Sequence, residues 1–352
     1  MTSVGGRAWL GARIATPLLA VVVVAAGAHL WLNTDVFTGE EMCGGLVSTG
    51  MAGSVLDGPG RVSDGEGLDT EPEDSLVFSC TLESTSFLPG AGGGELRISA
   101  ARERGDFAFV EEGRWPSPAA VSFFPAVEGG ATGAVGSDDH GWVLLPAGCT
   151  TQDGPVAVEG YAPEGTDPLQ FTRLLTEVAN RAAERADCAA DRPLTPPDTL
   201  PVPPDPRPTE PVSVCGLPGL TFPGPPGQAD VTERVQGETG PTWSCEVTGH
   251  AIYAITQDPA LVTAVESSPG YKKQPDVAGL KLSGFAPTQV TADCDGTPTY
   301  FSLRVEQGYT EAIGQPLTPP LHDLFDSFLR NAGRWVGCGG GQGAAPNLSP
   351  AS

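Results

Sequence analysis

Basic residues are scarce in this 352-residue chain: 19 Lys and Arg stand against 43 Asp and Glu, a net charge of −24. Only Arg7 and Arg13 fall within residues 1–32, so the remainder holds 17 bases against the same 43 acids, a net of −26. Phosphate binding needs clustered Lys and Arg, and a body this acidic is repelled by nucleic acid and by anionic surfaces. Nucleic acid is excluded as a partner, and the charge reads as solubility outside the cell.

The vocabulary of catalysis is also thin. There are four histidines, His29, His140, His250 and His322, and no HExxH, Walker loop, GxSxG elbow or SxxK pair. No cysteine belongs to a CxxC pair, which removes the usual support for zinc ribbons and thioredoxin-like sites. Ser137-Asp138-Asp139-His140 offers a nucleophile, acids and a base, but adjacent residues rarely converge in space. It reads as a polar turn before the strand Trp142-Val143-Leu144-Leu145. Asp293-Cys294-Asp295-Gly296 lacks the six or more oxygen ligands of a calcium site and also reads as a turn. Gly90-Ala91-Gly92-Gly93-Gly94 has no following Lys-Ser/Thr and reads as a hairpin loop. No enzymatic activity, cofactor or metal is expected.

What the chain has in quantity is Gly, 47, and Pro, 35, which favour short elements joined by many turns. It also has one uncharged stretch between Arg13 and Asp35. The apolar centre, residues 15–32, would span about 27 Å as a helix at 1.5 Å per residue, close to a hydrocarbon core of roughly 30 Å. Arg7 and Arg13 on its N-terminal side place the N-terminus in the cytoplasm, and Trp31 stands at the expected interface. Residues 1–13 form a cytoplasmic tail too short for a domain, and 14–34 a transmembrane anchor. The alternative is a signal peptide cleaved at Ala26-Gly27-Ala28 after an apolar region at residues 18–26, giving a secreted protein. Both place the body outside the membrane.

Eight cysteines, at 43, 80, 149, 188, 215, 245, 294 and 338, then divide into two series of four. Each series opens with Cys-Gly, Cys43-Gly44 and Cys215-Gly216. The second cysteine follows Ser in a strand-like run, Ser79-Cys80 and Ser244-Cys245. Alternating runs follow, Leu96–Ser99 and Ile252–Ile255. Glu159-Gly160-Tyr161 matches Glu306-Gln307-Gly308-Tyr309 with one insertion. A helix closes each series, one starting at Asp167-Pro168 with Phe171, Leu174, Leu175, Val178 and Ala182 on one face. The other starts at Thr318-Pro319 and aligns Leu321, Leu324, Phe325, Phe328, Ala332 and Trp335. The order predicts two copies of one module, 35–190 and 212–339, with a disordered tail at 340–352. Residues 44–56 suit a short helix in the first copy, whereas Pro218, Pro223, Pro225 and Pro226 forbid one in the second.

The fold class expected is α+β: an N-terminal transmembrane helix, then two tandem disulfide-stapled modules, each a small antiparallel sheet with a closing C-terminal helix. Between them, residues 191–211 form a proline-rich linker. Its 19 residues from Pro193 to Pro211 contain nine prolines and would extend about 59 Å as polyproline II. It reads as a semi-rigid spacer holding the outer module away from the membrane.

Four cysteines per module allow three pairings. The repeat motivates Cys43–Cys80 with Cys149–Cys188, and Cys215–Cys245 with Cys294–Cys338, worth on the order of 3–4 kcal/mol each through loop-closure entropy. Among the aromatics, Trp115, Phe123 and Phe124 most simply complete a small core, and otherwise form an apolar docking patch.

This cysteine order resembles that of membrane-anchored or secreted envelope proteins of high-GC Gram-positive bacteria with four-cysteine, sensor-like extracellular modules. The resemblance covers each module only as a cysteine pattern and carries no ligand residue over. The kinase of some such sensors has no counterpart here. The expected role is a non-enzymatic extracytoplasmic envelope protein, single-pass in the cell membrane, binding a partner or ligand through its modules. An extracytoplasmic enzyme with a dispersed site and a structural spacer are the alternatives.

Overall fold

In a computed structural model, the chain is described at residues 23, 24, 27, 41–56, 60–71, 74–85, 94–110, 113–137, 139–210, 212–221, 231–237, 240–313 and 318–338. The expected transmembrane helix, the cytoplasmic tail and the C-terminal tail lie outside these, apart from Val23, Val24 and Gly27. Among the described residues no helix is long and apolar enough to cross a membrane.

The first half contributes ten strands: β1 (Glu41–Met42), β2 (Val47–Ser48), β3 (Arg61–Asp64), β4 (Asp69–Glu71), β5 (Asp74–Thr85), β6 (Glu95–Arg102), β7 (Val121–Phe123), β8 (Gly133–Gly136), β9 (His140–Leu144) and β10 (Val156–Tyr161). The second contributes β11 (Arg207–Pro208), β12 (Thr232–Gln236), β13 (Thr242–Val247), β14 (Ala251–Thr256), β15 (Lys272–Lys273), β16 (Ser283–Ala286), β17 (Gln289–Cys294) and β18 (Thr297–Val305). Six α-helices, α1 (Thr49–Leu56), α2 (Phe107–Val110), α3 (Pro168–Arg185), α4 (Pro259–Glu266), α5 (Gln307–Ile313) and α6 (Thr318–Trp335), and three short 3-10 helices (Cys43–Gly45, Ala147–Cys149 and Val214–Gly216) complete the described chain. The protein is α+β, and the strand pairs are antiparallel.

Two eight-stranded sheets result. The first runs β3-β5-β6-β10-β9-β8-β7 with β4 also on β5; the second runs β11-β12-β13-β14-β18-β17-β16-β15. Their central strands have matching order and register. Cys80 faces Ile98, which faces Gly160; Cys245 faces Tyr253, which faces Leu303. This register makes Gly160 the counterpart of Leu303, not of Gly308, so the Gly-Tyr correspondence read from sequence is out of step. Gly160 lies inside β10, where a Cβ would stand 2.7 Å from Leu175 of α3. Gly308 lies beyond β18, in α5.

One face of each sheet is closed by a helix whose apolar stripe is visible in the sequence. Phe171, Leu174, Leu175, Val178 and Ala182 of α3 are buried against the first sheet. Asp167 caps α3, its Oδ1 accepting from the amides of Leu169 (2.8 Å) and Gln170 (3.1 Å), with Pro168 in the first turn. Leu324, Phe325, Phe328, Leu329 and Ala332 of α6 pack on the second sheet. The disulfides pin these layers: Cys43–Cys80, Cys149–Cys188, Cys215–Cys245 and Cys294–Cys338, with no free cysteine.

The other faces meet each other. The same connection in each half, residues 103–120 between β6 and β7 and residues 257–271 between β14 and β15, fills the space between the sheets. Phe107, Phe109, Trp115, Trp142, Leu261, Val265 and Tyr300 form one shared cluster there. The backbones touch: a Cβ on Gly105 would lie 2.2 Å from the Ala264 carbonyl. Polar bonds cross as well, from the Gly105 amide to Ser268 Oγ (2.8 Å), Tyr300 Oη to Asp106 Oδ2 (2.8 Å) and Ser244 Oγ to the Pro118 carbonyl (2.8 Å).

The linker therefore does not hold the halves apart. Thr195 brackets the first half, donating to the Gly129 carbonyl (3.0 Å) and accepting from the Ala131 amide (2.9 Å). Asn180 of α3 bonds both backbone groups of Leu194. Arg207 and Pro208 then pair with β12 as the edge of the second sheet. Proline content speaks to a linker's stiffness, but composition carries no information about the surface it lies on.

Gly105→Ala should force the two backbones apart. We expect a loss of about 1–3 kcal/mol in urea denaturation, as for other overpacked interiors, and faster protease cutting at residues 194–208. Gly67→Ala, where an added Cβ meets nothing within 4 Å, is the control. Equal midpoints and equal cutting for the two variants would mean that the sheets do not depend on this contact.

Candidate functional site: a groove at the junction

Trp115, Phe123 and Phe124 do not form a surface patch. Trp115 is buried, its ring 4.6 Å from that of Phe107, and Phe124 is buried in the first core. Phe123 is half-buried, stacked on Phe109 at 6.1 Å and edge-on to Trp142 at 6.4 Å. Alternation along β7 and the packed 103–120 segment turn these rings inward. Phe123 and Phe124 nevertheless line the floor of a groove.

That groove has a volume of about 660 Å³ and is built from three separate stretches of chain. Residues 123–126 come from the first half, 199–202 and 204 from the linker, and 235–237 and 240–242 from the second half. The described lining is Phe, Pro, Ala, Thr, Leu, Val, Gln and Gly; Glu238 and Thr239, between Gly237 and Gly240, lie outside the described residues. Gly237, at φ +92°, makes the turn out of β12; a Cβ there would sit 2.0 Å from the Thr242 carbonyl oxygen. Thr242 Oγ1 is paired with Thr256 Oγ1 at 2.8 Å. Gln236 is only 5% exposed, and its Oε1 has no hydrogen-bond donor among the described residues.

A second polar assembly lies on the inner face of the first sheet. Glu159 of β10 is 6% exposed at its side chain and accepts three hydrogen bonds: from Tyr161 Oη (2.8 Å), Arg114 (2.9 Å) and, at 2.9 Å, His140 Nε2. Arg114 also pairs with Glu103 at 2.9 Å and lies over the Trp115 ring. The His140 ring is sandwiched between Trp115 (5.3 Å) and Tyr161 (4.1 Å), nearly parallel to both. Burial by itself would push the Glu159 carboxyl up; the bonds from His140, Arg114 and Tyr161 outweigh it and hold it below the ordinary range. With His140 3% exposed and walled by two rings, these groups are committed to one another and not presented to a substrate.

The other candidates resolve into local structure. Asp138 lies outside the described residues. Asp139, at φ +58°, accepts from the Gly165 amide (3.1 Å), so the Ser137–His140 run does not converge. Asp293 Oδ1 accepts from the Gly296 amide (2.7 Å) in the β17–β18 turn. Cys43, Asp64 and Cys80 cluster together, as do Cys215, Glu233 and Cys245. In each cluster the two sulfurs are bonded to one another, leaving no thiolate for a metal. The acid serves the backbone instead. Asp64 Oδ1 accepts from the Cys43 amide (3.1 Å) and Glu233 Oε2 from the Cys215 amide (2.8 Å). Both of these cysteines adopt positive φ, 52° and 62°.

Glu233 titrates oppositely to Glu159. Burial pushes its carboxyl above the ordinary range, only partly offset by the Cys215 amide and Arg207. In the sequence, Glu159 and Tyr161 stand out only as repeat markers. The position of Glu159 within the apolar run 156–160 is the signal that could have shown a carboxylate pointing inward. Nothing in the sequence distinguishes Gln236.

The two glutamates give opposite pH signatures. A carboxyl depressed in the folded state stabilises above the unfolded value of about 4.3, and that contribution is lost as pH falls through the lower folded value. Glu159→Gln should therefore cost on the order of 3 kcal/mol at pH 7, with the gap to wild type closing on acidification. A raised carboxyl does the reverse, so wild type should lose ground to Glu233→Gln as pH rises through about 4.3 and beyond. Urea midpoints of the oxidised protein between about pH 3 and pH 7 test both, and parallel profiles for the two variants would refute the assignment. No protein-family model, curated protein or solved structure matches this chain, so its function rests on its own geometry.

Proposed function

We propose that the chain is an exported, non-enzymatic binding protein of the cell envelope, tethered through residues 14–34. Its two halves are diverged copies of one four-cysteine module, folded against each other to form a single binding unit. The observation that carries the reading is the junction groove, to which the first half, the linker and the second half each contribute a wall. Among the described residues the lining carries no ionisable group to act as a general base, and the Thr242 hydroxyl is already paired with Thr256. Pockets at domain junctions are common binding sites.

Duplication is supported by matching strand order and by an amide–acid contact at the same register in each half. Asp64 stands opposite Leu82, and Glu233 opposite Val247, each two residues past the second cysteine of its series. Export is supported by four disulfides that leave no thiol free, together with the uncharged run behind Arg7 and Arg13.

Two measurements test the reading on full-length protein in intact cells. A membrane-impermeant maleimide should label no cysteine before reduction; labelling of native thiols would remove the export argument. A benzophenone side chain at Val202, 88% exposed beside the groove, should yield a light-dependent adduct that the same group at Arg97, exposed on the first sheet, does not. Equal yields at both positions would count against a binding role for the groove.

A further inference from the structure

We infer that the chain pairs with a second copy of itself along two open strand edges, the lysine-bearing β15 of each copy lying on the acid-bearing β4 of the other. This surface is separate from the junction groove and shares no residue with its described lining.

The chain has only three lysines, Lys272, Lys273 and Lys281, and all fall within ten residues. Two form β15 and the third follows the turn towards β16; all three are exposed. Nine arginines pair with acids, yet none of the lysines does so among the described residues. In a chain of net charge −24, a cationic hairpin left without an acid is a docking surface for an anionic partner.

The complementary surface is on the other sheet. Residues 66–74 carry Glu66, Asp69, Glu71, Glu73 and Asp74 and no base. Asp69 and Glu71 stand on β4, exposed and, among the described residues, without an ion pair. Among the described strands β4 pairs only with β5 and β15 only with β16, so each leaves one side open. An open edge is a template for another chain. Here charge makes it selective. Laying β15 on β15 sets lysine against lysine, and β4 on β4 sets acid against acid; only β15 on β4 brings opposite charges together. The net charge of each copy opposes approach, but at about 0.15 M salt the screening length is about 8 Å, so the charges at the contact decide.

The two edges are neighbours on the surface. Glu71 faces Asp74 across β4 and β5, Asp74 binds Arg102 at the end of β6, and Arg102 donates to the Gly154 carbonyl (3.2 Å). Pro269, which leads into β15, stands 3.7 Å from a Cβ placed on Gly154. The edges nevertheless belong to different sheets, with the shared cluster packed between those sheets. A twofold axis between them makes both contacts at once and closes the pair as a dimer.

The test uses the full chain in proteoliposomes of phosphatidylcholine, reconstituted from two isotopically distinct preparations. A carbodiimide joins a carboxylate to an amine in direct contact. Apart from the N-terminus every amine lies in one hairpin, so each lysine cross-link reports on it. We expect a covalent dimer whose links join Lys272 or Lys273 of one isotopic form to Asp69 or Glu71 of the other. Lys272→Glu with Lys273→Glu should lower the dimer yield about tenfold or more, as should Asp69→Lys with Glu71→Lys. Mixing the two variants should restore it, because each contact again sets lysine against acid.

The pairing is overturned by an absence of mixed-isotope links, by a yield that either variant alone retains, or by a mixture that yields no more than its components. A wild-type yield lost when the lipid is exchanged for phosphatidylglycerol would also overturn it, by assigning the lysines to an anionic bilayer. If a variant fails to fold, isotope mapping of the wild type still decides.

Discussion

Two sheets can share an interior only where their backbones come close enough to exclude water, and here that approach is made at Gly105. With no side chain at that position, the connection leaving β6 lies against the Ala264 backbone of α4. Phe107 and Phe109 follow at once and enter the shared cluster with Leu261, Val265 and Tyr300. Asp106 sits beside them, fully buried, and it is tolerable there because Arg104 and Tyr300 both reach it. The contact brings charge, hydrogen bonds and aromatic packing into a single turn of chain. The linker's path and the groove's third wall both follow from it, since the linker can lie across both halves only if they are already together.

Each half then uses its two sheet faces differently. The outer face takes a long amphipathic helix and the disulfides, so it is covered by local chain and stapled. The inner face takes the connection between β6 and β7, or between β14 and β15, and is covered by the other half. This division accounts for where polar groups are accommodated. Glu159, His140 and Arg114 lie on the inner face of the first sheet, where aromatic walls make each charge depend on its partners. The acids that receive the Cys43 and Cys215 amides lie on β3, the edge strand of the first sheet, and on β12, next to the edge of the second, where a cysteine held at positive φ needs a fixed acceptor for its amide. One carboxyl is depressed and another raised because the first collects three donors while the second gathers too few to offset its burial.

What can be read from the sequence follows the range of the interactions concerned. The caps and stripes of α3 and α6 are local, set by spacings of three and four residues, and Asp167-Pro168 and the Phe328 face are visible for that reason. The cysteine order is visible because it repeats. Register is not: Gly-Tyr recurs in both halves, yet Gly160 makes room for Leu175 inside a strand while Gly308 lies in a helix past one. Two- and three-residue signatures do not encode which strand faces which. Proline-rich composition likewise reports backbone stiffness and is silent on packing, so a strap reads as a spacer. Asp258-Pro259 carries the same cap signal as Asp167-Pro168 and would have located α4, one of the two walls between the sheets.

The groove's position has a physical explanation of its own. Two sheets packed face to face through connections of unequal shape, a four-residue helix with an aromatic loop on one side and an eight-residue helix on the other, cannot close evenly along their whole length. The mismatch is taken up at the end where β7 faces the β12–β13 turn. There the linker passes over without filling the space, because Pro201 and Pro204 fix its course and Val202 points away into solvent. Among the described residues at this turn, Gln236, Gly237 and Gly240 are the positions where a larger side chain would enter the gap. Gly237 is held to glycine by its φ and by the Thr242 carbonyl, but Gly240 has room for a side chain and carries none, and Gln236 brings an acceptor that packing alone does not need. A void left by poor fit would be lined by apolar residues and could be closed by ordinary substitutions. At Gly240 the described lining leaves such a position unfilled, and that is the feature the proposed binding role would use.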